Sequence, residues 1–303
     1  MTRTRAFLLA RAVPLAAAAA LAGCADDAAP RAAPQPAPQQ TAVAQYRTYQ
    51  GPAGPDEHVP DFASRGFATF NRQDAIAITL REWRLFGQPV DDDDPETRAD
   101  GSSTAVKPER LPGLWERVGE YWWIGQDPYE TEVQWTGKHN SAGTPFDFTH
   151  DSHYAWSAAF ISYVMRVAGA GNRFAYSPNH STYINAAFTG GASVLRPQDP
   201  ASYAPVPGDM ICAGRSTALG RRFASLPSRN GFPAHCGIVV SKAANQIDIV
   251  GGNVDDAVAL THVPIGADGR LDGADGQSLD TRYQWLVVLQ VLYDGDTESP
   301  AED

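Results

Sequence analysis

Cysteine is scarce in this chain of 303 residues, and basic charge falls short of acidic. Lys and Arg number 24 against 35 Asp and Glu, a formal net charge of −11. That balance argues against nucleic acid or an anionic membrane surface as a partner, and any anionic polymer would have to be gripped by local contacts. There are three cysteines in all. No His-x-x-x-His or Cys-x-x-Cys falls on an expected helix, so metal sites of ordinary spacing have little basis. The run Asp91-Asp92-Asp93-Asp94 has the charge for a cation but lacks the Gly and Glu spacing of a calcium loop, and it reads as a solvated loop.

The first residues carry Arg3, Arg5 and Arg11 with no acid, then an apolar stretch from Ala12 to Ala22. This is the order of a secretory signal, and roughly 11 residues fall well short of the ~20 needed to span a bilayer. Leu21-Ala22-Gly23-Cys24 resembles the lipobox of bacterial lipoproteins. The resemblance implies a signal peptide over residues 1–23, lipid on Cys24 and attachment to a membrane through that lipid. Ala25 after the cysteine, where Asp would retain the chain at the inner membrane, implies the outer membrane with the domain facing the periplasm. Residues 24–60, rich in Ala, Pro and Gln, read as a tether, and 296–303 as a disordered tail. Losing the three signal arginines takes the charge from −11 to about −14. In an oxidising compartment the remaining Cys212 and Cys236 leave two options, a disulfide or buried thiols.

Residues 61–150 read as a helical preface and a long loop, and 151–295 as the main domain. Ile76, Leu80, Trp83 and Phe86 recur turn by turn in an amphipathic helix stopped by Gly87 and Pro89. A second helix is expected over Leu114–Trp123. From Gly125 to His150 the period is lost, and loops of that length tend to be functional. The stripe Trp156, Phe160, Tyr163, Val164 and Val167 predicts a core helix over Ala155–Ala168, and a short helix follows from His180 to Phe188. After Pro207-Gly208 come strands at Asp209–Ala213, Cys236–Ser241, Ile247–Val250, Val258–His262 and Tyr283–Leu292. Helices first and strands after them predict an α+β fold with a small antiparallel sheet.

Four pieces in order carry the chemistry: Trp156-Ser157-Ala158-Ala159-Phe160, Pro207-Gly208-Asp209, His235-Cys236-Gly237-Ile238, and Gly251-Gly252-Asn253. They resemble the papain-like cell-wall hydrolases of the NlpC and CHAP type. Longer phrases, including Trp122-Trp123, Trp135-Thr-Gly-Lys-His139, His180-Ser-Thr-Tyr183 and Gly251-Gly-Asn-Val254, resemble a bacterial family known only as domain of unknown function 2272. The first resemblance implies a papain-like fold and a cleft with Ser157 as nucleophile, His235 as base and Asn253 (or Asp255) orienting His235. It implies action on peptidoglycan or another envelope amide or ester and needs no cofactor. Trp156, His180, Asp151 and Trp135 are the residues expected to bind substrate.

Two departures stand out. Serine replaces the family's cysteine, and Gly251 stands where an orienting Glu is usual. A helix N-terminus and an imidazole can hold a thiolate, but a serine must hand its proton to the base during attack. The same cleft without chemistry would be a module binding wall fragments or an envelope protein. A metal set of His150, Asp151, His153 and His180 is a further alternative with no helical ligand spacing behind it. Tyr121, Trp122, Trp123 and Trp135 read either as core or as a sugar-stacking wall. Cys236 follows His235 directly, so it turns to the opposite side of its strand, where Cys212 on a neighbouring strand can meet it.

Expressed in a bacterial host fed radiolabelled palmitate, the chain is expected to take up label and its Cys24→Ala variant to take up none. Equal labelling of the two would remove the anchor.

Overall fold

The computed structural model describes residues 69–95, 107–126, 144, 155–273 and 275–294. All of them belong to one compact unit, Gln45–Asp303. The signal, Cys24, the tether, the tail and most of the long loop, including Trp135, His150, Asp151 and His153, lie outside the described residues.

Among the described residues the architecture is mixed α+β, with four helices and a six-stranded antiparallel sheet. The helices are α1 (Arg72–Leu85), α2 (Leu114–Gly125), α3 (Ser157–Val167) and α4 (His180–Thr189). The strands are β1 (Leu195–Gln198), β2 (Met210–Gly214), β3 (Ala234–Lys242), β4 (Gln246–Val254), β5 (Ala257–Pro264) and β6 (Trp285–Val291), in spatial order β1-β6-β2-β3-β4-β5. The segment read as a preface shares its core with the rest: Phe70, Ala75, Val118 and Tyr121 join Trp156, Phe160 and the strand residues Cys236 and Val250 in one cluster. A smaller cluster, with Ile211, Val239, Ile249 and Trp285, includes Leu271 from the connection between β5 and β6.

The helix α1 starts where Asn71 caps the N–H of Asp74 at 2.8 Å. Its fully buried positions are Ala75, Thr79 and Glu82; of the expected Ile76, Leu80, Trp83 and Phe86, Phe86 is buried just past the helix and Trp83 packs half-buried against the core, while Ile76 and Leu80 do not join it. The stripe moves because Glu82, wholly buried, is met by partners from two other helices. Arg117 donates to it through Nε (3.0 Å) and Nη2 (2.9 Å), the Tyr121 hydroxyl at 2.7 Å and the Tyr163 hydroxyl at 3.2 Å. Burial works against the charge on Arg117, but the hydrogen bond and charge of Glu82 outweigh it and raise its pKa. Burial, then Glu82, pushes Tyr163 up to about 12.

α2 and α3 cross at Gly125, where a Cβ would stand 2.4 Å from the Ala159 carbonyl oxygen. The nearest backbone approach in the helical layer therefore requires glycine. At the Pro-Gly-Asp turn, Gly208 has φ 96° and buried Asp209 accepts from the N–H of Val206 (3.0 Å) and of Val291 (3.1 Å). This ties the start of β2 to the end of β6. The β4–β5 connection is a two-residue turn with φ 47° at Asp255 and 59° at Asp256, the twist that suits a tight hairpin. Strand β1, with the sequence Leu-Arg-Pro-Gln, was not foreseen; it sits at the sheet edge, where proline is tolerated.

Removing one partner of a buried ion pair strands the other. Glu82→Ala is expected to lower unfolding stability by about 3–5 kcal/mol in urea denaturation. A double variant with Arg117→Met should recover part of the loss.

Candidate functional site

Ser157 is the first residue of α3 and His180 the first of α4, and the two helix starts face each other. The Ser157 Oγ lies 2.6 Å from His180 Nε2. On the other side of the ring, His180 Nδ1 meets the hydroxyl of Tyr183, one turn further along α4. The imidazole that bonds Ser157 is thus His180, a residue expected only to line the cleft, while His235 was expected in that place. His235, at the start of β3, stands edge-on to His180 with ring centroids 5.4 Å apart.

Two glycines let β4 come this close. A Cβ at Gly251 would lie 2.8 Å from His235 Nε2, and one at Gly252 would lie 2.5 Å from the Phe160 Cβ. The first explains why no orienting side chain stands at 251: the imidazole of His235 occupies that space. Asn253 has φ 56° in an irregular stretch of β4, and among the described residues it makes no hydrogen bond to either histidine. Asp255 sits in the exposed β4–β5 turn.

Trp156, expected to touch substrate, belongs to the core instead. Its side chain is 0% exposed, stacks between Phe86 and Tyr121, and donates through Nε1 to Glu109 at 2.6 Å. A ring enclosed on both faces has none left for a sugar. Tyr121 and Trp122 are likewise core, whereas Trp123 is 46% exposed. In the metal alternative, both ring nitrogens of His180 are already engaged, and the other three residues lie outside those described. Cys236 pairs with Cys212 across the β2–β3 register as a disulfide, wholly buried on the helix side of the sheet.

The acidic run does more than face solvent. Asp92 accepts from the N–H of His262 at 2.9 Å, meets His262 Nδ1 at 2.8 Å and pairs with Arg282. Asp91 and Asp93, with Pro108 and Asp255, line a shallow cavity of about 220 Å³ that includes none of Ser157, His180 or His235.

A family model described as "Uncharacterized protein conserved in bacteria (DUF2272)" matches residues 109–291, more than half of the chain. The chain belongs to that family. Ser157, His180, Tyr183 and His235 all fall inside the DUF2272 match, whereas α1 with Glu82 precedes it. No curated protein and no solved structure matches the chain.

Chemically, this DUF2272 domain has a hydroxyl, a neutral imidazole and a second hydroxyl in line. Burial, then the nearby His235 and Arg215, holds His180 well below the usual histidine range, so it is uncharged at neutral pH. Burial keeps Tyr183 protonated. Tyr183 was missed as a partner; the His180-x-x-Tyr183 spacing on an expected helix was the available signal, since residues three apart share a face.

A histidine whose folded pKa lies below its unfolded value lets the unfolded chain take up the proton first as pH falls. The stability from the neutral, buried ring is therefore present above pH ~6.5 and is lost below it, at up to about 1.4 kcal/mol per pH unit for one proton. Denaturation at pH 7.5 and 5.5 is expected to show a smaller drop for His180→Gln than for the parent chain; equal drops would contradict the assignment.

Proposed function

We propose that this chain is a cell-envelope hydrolase with a papain-like domain, cleaving peptidoglycan or another envelope amide or ester, with Ser157 as nucleophile and His180 as its base. The observation that carries the reading is the 2.6 Å contact from Ser157 Oγ to His180 Nε2 at the start of a buried helix. Serine needs a neutral base within hydrogen-bond reach, and the buried His180 is one.

In this mechanism Ser157 Oγ attacks the acyl carbon while its proton passes to His180 Nε2. The negative oxygen of the tetrahedral intermediate forms beside the first turn of α3, whose leading N–H groups have no intrahelical acceptor. Collapse breaks the bond to the leaving group, which takes the proton from His180, and water then repeats the sequence to release the acid. His235 stands next to the base and disfavours a lasting charge on it. On this reading lipid on Cys24 would hold the chain at the outer membrane, facing the periplasm.

A second reading, a non-catalytic module that binds wall fragments or an envelope protein, is favoured by one observation. Ser157 is 9% exposed and His180 4%. Purified peptidoglycan digested with the full-length chain in detergent, with mass readout, separates the two. New fragments are expected from the parent chain, none from Ser157→Ala, and a rate lower by roughly 10²–10⁴-fold from His180→Gln. Identical product profiles from parent and Ser157→Ala would sink the hydrolase.

A further inference from the structure

We infer that Tyr183 is the positioning residue of the Ser157–His180 pair, its hydroxyl engaging Nδ1 so that Nε2 stays aimed at Ser157. The inference deepens the hydrolase reading, and only its kinetic arm rests on that reading. His180 and Tyr183 lie three residues apart, so one turn of α4 brings hydroxyl and Nδ1 together without help from any loop. The Tyr183 ring is wholly buried and packs 5.1 Å from Phe174, which leaves the hydroxyl little freedom to swing away. Among the described residues that hydroxyl has no other hydrogen-bond partner. Asn253, the orienter expected from the sequence pattern, is absent from the pair, and Gly251 supplies no side chain.

A neutral imidazole carries one proton, on either nitrogen, and a tyrosine hydroxyl can serve both forms because it donates and accepts. Once Ser157 passes its proton to Nε2, both ring nitrogens carry hydrogen and Nδ1–H needs an acceptor. The Tyr183 oxygen is placed to be it. Without that oxygen a charged donor would be stranded in a buried site, and hydrogen bonds to charged groups are the ones whose loss costs most. A tyrosine differs here from the carboxylate of a serine triad: it orients the ring and satisfies its N–H but adds no counter-charge.

The groups that face His180 are Tyr183 on its own helix, His235 on β3 and Arg215 just after β2. The test uses the full-length chain with nitrogen-15 histidine, as parent and as Tyr183→Phe. In the variant the Nδ1 resonance of His180 is expected to move and the ring to protonate at lower pH, because the imidazolium has lost its acceptor. Labelling of Ser157 by a fluorophosphonate is expected to slow by roughly 10- to 100-fold, with its acid limb shifted to the same lower pH. A purely structural role would leave titration and limb where they are, and that result overturns the inference. If the variant does not fold, the parent decides alone: a slowly exchanging proton on His180 Nδ1 with a cross-peak to the Tyr183 ring upholds the inference, and its absence overturns it. If the resonances behave as expected and Ser157 reacts in neither protein, the placement of Tyr183 is upheld and the hydrolase reading is what fails.

Discussion

A carboxylate with no access to water holds the helical layer together. Desolvating Glu82 is costly, and the cost is offset only while Arg117, Tyr121 and Tyr163 all reach it, so α1, α2 and α3 must keep their mutual positions. α3 is the helix that begins with Ser157. A serine at the end of a helix buried almost along its length cannot drift, and its geometry toward the second helix start is inherited from this network.

The sheet meets that layer through missing side chains. Gly251 and Gly252 let β4 lie against His235 on one side and against Phe160 and Trp156 on the other. With the helix end fixed on the sheet, two imidazoles from different elements come within ring contact of each other. Burial, and after it this proximity, keeps the one bonded to Ser157 uncharged, so packing decides protonation here.

How much of this could be read in the residues beforehand depended on how local the cause was. The helix around Phe160 and Val164 was legible because an apolar stripe is written into consecutive turns, and the side taken by Cys236 followed from alternation along a strand. The face of α1 differs in part because hydrophobic periodicity ranks Ile76 and Leu80 above Thr79 and Glu82, and only partners from other helices reverse that ranking. Ser157 and His180 are individually visible, but the distance between them depends on how α3 and α4 are docked, which no local pattern encodes. Trp156 reads both as part of a core stripe and as a substrate contact, and the buried acceptor Glu109 draws it to the core.

The start of α4 has a bearing on how such a site is lost and regained. Asn179, its cap position, makes no side-chain capping bond, and its N–H is instead held at 3.1 Å by Ser177 Oγ, which in turn donates to Thr182 at 3.0 Å. His180 and Tyr183 both belong to this first turn, so whatever opens the turn moves both. Unwinding a single turn would withdraw His180 and Tyr183 from Ser157 in one event, leaving its hydroxyl without the imidazole. The pair would therefore move as one part, held in place by two small hydroxyls, Ser177 and Thr182, neither of which hydrogen-bonds to Ser157.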